Sequence, residues 1–156
     1  MLVLGIDPGS QCTGYGLLDD EGRKPRLVAS GVIRTKRGNL ALRLGEIAKG
    51  VEALLAEYQP DTVAVEEVFA GKNMRSVMVL GQARGAVLAA VGKAGLPVSE
   101  YATRRIKKSV TGSGAASKQQ VRLVLEALLG RMPEQLDATD AVAVAMCHLQ
   151  WSGGQA

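Results

Sequence analysis

Residues 2–18 read LVLGIDPGSQCTGYGLL, two short apolar runs joined by Asp7-Pro8-Gly9-Ser10-Gln11. Leu2–Asp7 has the composition of a buried strand, and Pro-Gly stops it in a tight turn. Thr13–Leu18 reads as a second strand, with Gly14 and Gly16 allowing another backbone to come close. Arg26–Thr35 (RLVASGVIRT) alternates well enough for a third. Strands so near in sequence predict an antiparallel meander. Asp7 stands out because the first strand ends on it. Either the side chain caps the turn, or the strand holds the carboxylate at the sheet edge to bind metal or phosphate. Leu4–Ser10 alone leave both readings open.

From Asn39 the period changes. Apolar residues at 40, 44, 47, 51, 54 and 55 share a helix face, with Asn39 as N-cap and Pro60 closing the segment. Thr62–Val65 (TVAV) reads as a buried strand running into Glu66-Glu67, and a small-residue helix is expected from Met74 to Val91. Leu96–Tyr101 reads as a fifth strand. A basic segment with the glycine-rich turn TGSGAAS follows. Ser117 caps a helix over Lys118–Leu129, and a last helix spans Gln135–Gln150. The predicted order is β-β-β-α-β-α-β-α-α. No repeat or linker divides it, so residues 1–156 are read as one α/β domain, with about 151–156 as a flexible tail.

At 156 residues and 47% apolar composition, the chain can bury a substantial core. Arg75, Arg84 and Lys93 interrupt its most apolar region, which excludes a membrane span there. No leader pattern is read at the N-terminus. Cys12 and Cys147 make neither a CxxC pair nor a disulfide framework. A cytoplasmic location is the expectation. The net charge of +4 is unevenly spread: Arg104, Arg105, Lys107, Lys108, Lys118 and Arg122 lie between Tyr101 and Leu125 with no acid among them. One-signed charge of this kind fits either a solvated face or a polyanion, of which nucleic acid is the commonest.

The acids are the sharper signal. If the strand ending at Glu66 lies parallel to the first, Glu66 and Asp7 emerge at the same sheet edge, where ligands gather in α/β folds. Asp137 and Asp140, in LDATDAVAVA, are three apart and share a helix face. An acid in a first helical turn also favours the dipole, so Asp137 could be a simple cap. Four carboxylates in one place repel unless cations lie between them, and oxygen-only donors suit Mg²⁺ or Mn²⁺.

GIDPGS with TGYG, SGVIRTK, AVEEVF followed by GKN, LGQARG, VTGSGAASK and DATDAVAVA together make the chain resemble the RuvC family of Holliday-junction resolvases, over nearly its whole length. The resemblance implies an RNase H-like fold, a five-stranded mixed sheet with helices on both faces. It implies a homodimeric, Mg²⁺-dependent endonuclease that makes paired cuts in four-way DNA junctions during recombination and repair, associated with the RuvAB branch-migration complex. The family's catalytic acids fall on Asp7, Glu66, Asp137 and Asp140, its DNA-contacting lysines on Lys107 and Lys118, and its junction-contacting aromatic on Phe69. One family variant carries His where this chain has Asp137. Two metal ions per site, bridged by Asp7, are expected, with Mn²⁺ able to substitute.

Other residues are weighed beside these. Glu67 adjoins Glu66, but strand alternation sends it to the opposite face. Phe69 precedes a small polar loop, where a ring could stack on a base or wedge a junction, although a phenylalanine is more often a core anchor. Lys72 and Arg75 beside it, and Arg104 and Lys108 in the basic segment, are expected to meet phosphates. No base is evident for Ser10, Cys12 or Thr13, so no covalent nucleophile is expected. His148 lies about two helical turns past Asp140 and is read as structural. Gly81, Gly85 and Ala89 align at four-residue spacing and could admit a second helix at a two-fold interface. An actin-like phosphotransferase and a catalytically idle DNA-binding module are the alternatives. The single copy of the fold argues against the first, and the full set of acids against the second.

Overall fold

The computed structural model describes residues 1–22, 24–68, 71 and 73–152. Strands β1 (Leu2–Asp7), β2 (Cys12–Asp19), β3 (Arg26–Arg34), β4 (Thr62–Glu66) and β5 (Val98–Tyr101) form one sheet in the order β3-β2-β1-β4-β5. The first three make the antiparallel meander, while β4 and β5 join parallel to β1. Helices are α1 (Leu40–Tyr58), α2 (Met74–Lys93), α3 (Thr103–Thr111), α4 (Lys118–Leu129) and α5 (Leu136–Ser152). The fold is the five-stranded mixed sheet of an RNase H-like α/β protein.

Strand alternation divides the core in two. Leu4, Ile6, Leu17, Val63 and Val65 pack against α1 and α2 on one face. Val3, Leu18, Ala64 and Tyr101 pack on the other against α5, outside which lie α3 and α4. Helix α5 is buried along nearly its whole length from Ala138 to Leu149. A helix apolar all round belongs inside a protein, and here it lies between the sheet and the α3–α4 pair. Its bed is glycine. A Cβ on Gly5 would meet Ala141 O at 2.2 Å, and one on Gly14 would meet Asp137 O at 1.9 Å.

The helix starts follow the capping chemistry read from the sequence. Asn39 Oδ1 accepts from Leu42 N at 3.0 Å, and Ser117 and Gln120 form a reciprocal capping box. Gln59 closes α1 in the left-handed region, with φ of 48°.

Several elements differ from expectation, among them α2, which runs to Lys93 rather than Val91. Helix α3 was not anticipated: it occupies the basic segment, burying Ile106 and Val110 four residues apart, and Gly112 ends it at φ of 83°. Strand β5 begins at Val98 rather than Leu96. Helix α5 runs through Ser152, beyond the Gln150 limit, because the Arg105 guanidinium stacks 3.6 Å from the Trp151 ring centre and Ser152 Oγ donates to His148 O. Residues 153–156 of the expected tail lie outside the described residues. Among the described residues no helix is long and apolar enough to cross a membrane.

The glycine bed gives a stability test. Gly5→Ala puts a methyl against α5 backbone, and overpacking of this kind costs about 1–3 kcal/mol, so thermal melting should show a Tm lower by several degrees. Gly45→Ala, in α1 with open space around its Cβ, should instead leave Tm unchanged or raise it, because alanine is the better helix former.

Candidate active site

Parity sets the first two acids. Asp7 shares the face of β1 that carries Val3 and Gly5, and Glu66 shares the face of β4 that carries Ala64; both point to the α5 side. Ile6 pairs with Val65 in the parallel register, so Asp7 and Glu66 are the next positions along adjacent strands. Glu67 falls past the end of β4, exposed, with its N–H donating to Tyr101 O at 3.0 Å.

Helix α5 supplies the other two. Its first turn rests over Gly14, the residue paired with Asp7 across the β1–β2 ladder, and so brings Asp137 beside Asp7. Asp140 follows one turn later. The carboxylates of Asp7, Asp137 and Asp140 each place an oxygen within 4.8 Å of the others. Arg122 of α4 braces this end of α5, donating to Pro133 O at 2.6 Å and to Thr139 Oγ1 at 3.1 Å.

A small cleft joins these acids to two lysines. It is lined by Asp7, Glu66 and Asp140 with Thr103, Lys107 and Lys118. Glu66 lies at its wall and accepts from Thr103 Oγ1 at 2.5 Å. Lys118, the first residue of α4, donates from Nζ to Asp140 Oδ2 at 2.5 Å. A larger, mostly apolar groove between the C-terminal ends of α1 and α2 is lined by the Glu52–Lys93 ion pair and Gln59 among apolar side chains. Charge rather than size marks the site.

The electrostatics match the crowding. Burial, and then the charges of Glu66, Asp140 and Asp137, push the Asp7 carboxyl up to about 8, with Lys118 opposing. The Lys118 ammonium is in turn raised by its hydrogen bond to Asp140. A half-buried carboxylate facing three others asks for positive charge, and the all-oxygen donor set suits a hard divalent cation. Burial and the neighbouring Asp137 push the Cys12 thiol up to about 11, so it stays protonated at neutral pH and is no nucleophile. His148 is buried, its Nδ1 2.9 Å from Tyr101 Oη, and desolvation lowers its pKa. It takes no part in the acidic cleft.

The expected DNA contacts separate into groups. Lys107 and Lys118 stand at the acids. Arg75, Arg104 and Lys108 are exposed, Arg75 on the first turn of α2 and the other two on α3. Phe69 and Lys72 lie outside the described residues. The run of six basic residues is not one surface: Arg105 is taken up by Tyr101 and Trp151, and Arg122 by the α4–α5 corner. Sequence reasoning missed Thr103. Its only signal was position, two residues past the strand aligned with Glu66.

A family model described as crossover junction endodeoxyribonuclease RuvC matches residues 3–148. The chain is 50% identical over 149 residues to the protein of that name from Photobacterium profundum, spanning 94% of this chain and 86% of the other. It is 49% identical over 152 residues to that of Chlorobaculum parvum, spanning 96% and 81%. Among solved structures, Thermus thermophilus RuvC in complex with Holliday junction substrate is similar with a TM-score of 0.92 at 34% identity, covering 99% of this chain and 96% of that one. The yeast mitochondrial Holliday junction resolvase, at 12% identity and a TM-score of 0.69, shares the fold. By sequence over nearly its whole length and by the path of its backbone, the chain belongs to the RuvC family of crossover junction endodeoxyribonucleases.

Proposed function

We propose that this chain resolves four-way DNA junctions by metal-dependent phosphodiester hydrolysis, with Asp7, Glu66, Asp137 and Asp140 as the metal-binding acids. The observation that carries the reading is the three-aspartate cluster within 4.8 Å, opening onto a cleft with two lysines. A divalent cation bound there, Mg²⁺ or Mn²⁺, supplies a Lewis acid for the phosphoryl oxygens and lowers the pKa of water. The acids hold that charge, two from strand ends and two from one face of the first turns of α5. Lys118 neutralises Asp140 and, with Lys107, offers ammonium groups to a phosphate entering the cleft. Arg75, Arg104 and Lys108, together with Phe69 and Lys72, extend the DNA surface in this reading. The deciding assay compares cleavage of a synthetic four-way junction with a matched linear duplex, with and without Mg²⁺. Junction-selective, Mg²⁺-dependent cutting is the expected result.

Resolution needs two symmetric cuts, and one cluster makes one, so we infer a two-fold homodimer. Helix α2 supports it: Met74 and Met78 are 73% and 62% exposed, and Gly81, Gly85 and Ala89 continue the same stripe. A Cβ on Gly81 or Gly85 would meet nothing within 4 Å in one protomer. Association with RuvAB rests on family resemblance alone.

Asp7→Asn keeps the size of the side chain but removes the charge, so cleavage should fall by orders of magnitude while junction binding persists. In metal-free protein, the raised Asp7 pKa means that the native state keeps a proton the unfolded chain releases above about pH 4. The Asp7 contribution to stability is therefore fully present at or below that pH and is lost as pH rises through 8. Asp7→Asn should flatten that decline in thermal melts recorded in EDTA.

Replacing Lys107 and Lys118 with Ala should weaken binding across DNA sequences. The salt slope should fall by roughly one unit for each lysine that meets a phosphate, measured by binding titrations over a range of salt.

Gly85→Leu should give monomers, or a weakened dimer, whose residual activity is single nicks. Sedimentation and a cruciform plasmid assay that separates nicked from linear product read the two effects.

A further inference from the structure

Helix α3 begins where β5 ends. Glu66 and Tyr101 are paired in the β4–β5 register, Ala102 makes the turn, and Thr103 is the first helical residue. Its hydroxyl is therefore delivered to the side of Glu66, and Oγ1 donates to Glu66 Oε1 at 2.5 Å. An ionised carboxylate only accepts, so the hydroxyl proton is committed to Oε1 and Oε2 is left for a cation. The hydroxyl is not serving the helix, because Ala102 is the N-cap and no side-chain capping bond is made there. One turn further along α3, Lys107 lines the same cleft.

Glu66 needs such a partner more than the other acids do. It has one more rotatable bond than an aspartate, and it lies outside the group of three whose oxygens already converge. A free glutamate in a cleft loses side-chain entropy when it binds a cation, and a fixed hydrogen bond to the non-ligating oxygen reduces that loss. Hydrogen-bond partners behind metal ligands commonly account for 10–100-fold in affinity or activity.

We propose that Thr103 is a positioning residue, whose hydroxyl fixes the Glu66 carboxylate so that its other oxygen can complete the metal site. The proposal rests on the acids binding metal, and the experiment separates the two claims. Mn²⁺ binding to DNA-free protein is measured by calorimetry for wild type, Asp7→Asn, Glu66→Gln, Thr103→Val and Thr103→Ser, with melting in EDTA and junction binding without metal as controls. Valine keeps the branched shape and loses only the hydroxyl, while serine keeps it.

Thr103→Val should bind Mn²⁺ about tenfold more weakly and should need correspondingly more Mg²⁺ for half-maximal cleavage. Its Tm and metal-free junction affinity should match wild type, and Thr103→Ser should restore metal binding. If Asp7→Asn and Glu66→Gln weaken Mn²⁺ binding but Thr103→Val does not, the role of Thr103 is overturned and the metal site stands. If neither acid variant alters Mn²⁺ binding, the metal-site reading itself fails. A Thr103→Val protein that melts early, or that loses junction affinity in EDTA, would assign the hydroxyl to folding or to DNA and overturn the proposal.

Discussion

The acidic end of the molecule depends on α5 lying directly against bare strand backbone. Glycine at positions 5 and 14 removes the side chains that would hold the helix off the sheet. That contact brings Asp137 and Asp140 alongside Asp7 and holds them there against their repulsion. Folding on the apolar side carries the load: α5 is wrapped by the sheet on one side and by α3 and α4 on the other, with Val142, Val144 and Ala145 fully buried. The hydrophobic effect holds the scaffold together, and the carboxylates are carried into place by it.

The crowding also explains the nearby cations. Lys118 begins a helix fixed by a capping box, so its backbone is placed before its side chain reaches Asp140. Lys107 arrives from α3, on the other side of the cleft. Two short helices flank the acids, each contributing an ammonium group to an otherwise negative pocket. The arrangement balances charge locally while leaving the cleft open to a polyanion.

Much of this was legible from the sequence for identifiable reasons. The strand ends at Asp7 and Glu66 could be read because an apolar run stops on a carboxylate, and period-two alternation separated Glu66 from Glu67. Asp137 and Asp140 were legible from their three-residue spacing ahead of an apolar helix. Helix α3 was hidden because charge dominates it: four basic residues in nine obscure the two apolar positions, Ile106 and Val110, that bury it. The same charges misled in a second way. Arg105 and Arg122 counted toward a basic patch in one dimension, yet in space one stacks on aromatic rings and the other braces a helix start. Thr103 could not be singled out, since its contact with Glu66 depends on the strand register across a separation of 37 residues.

The parallel pairing of β1 with β4 has a consequence for how such a site can change. Asp7 and Glu66 sit at matching positions on neighbouring strands, so their Cα spacing is the interstrand repeat of about 4.8 Å. Backbone hydrogen bonding sets that length, and no choice of core side chain alters it. The sheet acts as a ruler. Repacking the interior can then make the protein more or less robust without changing the pitch of its strand-borne acids. The remaining adjustment at these two positions is the reach of each side chain, one methylene longer for glutamate than for aspartate, whereas the helix-borne pair moves with the packing of α5.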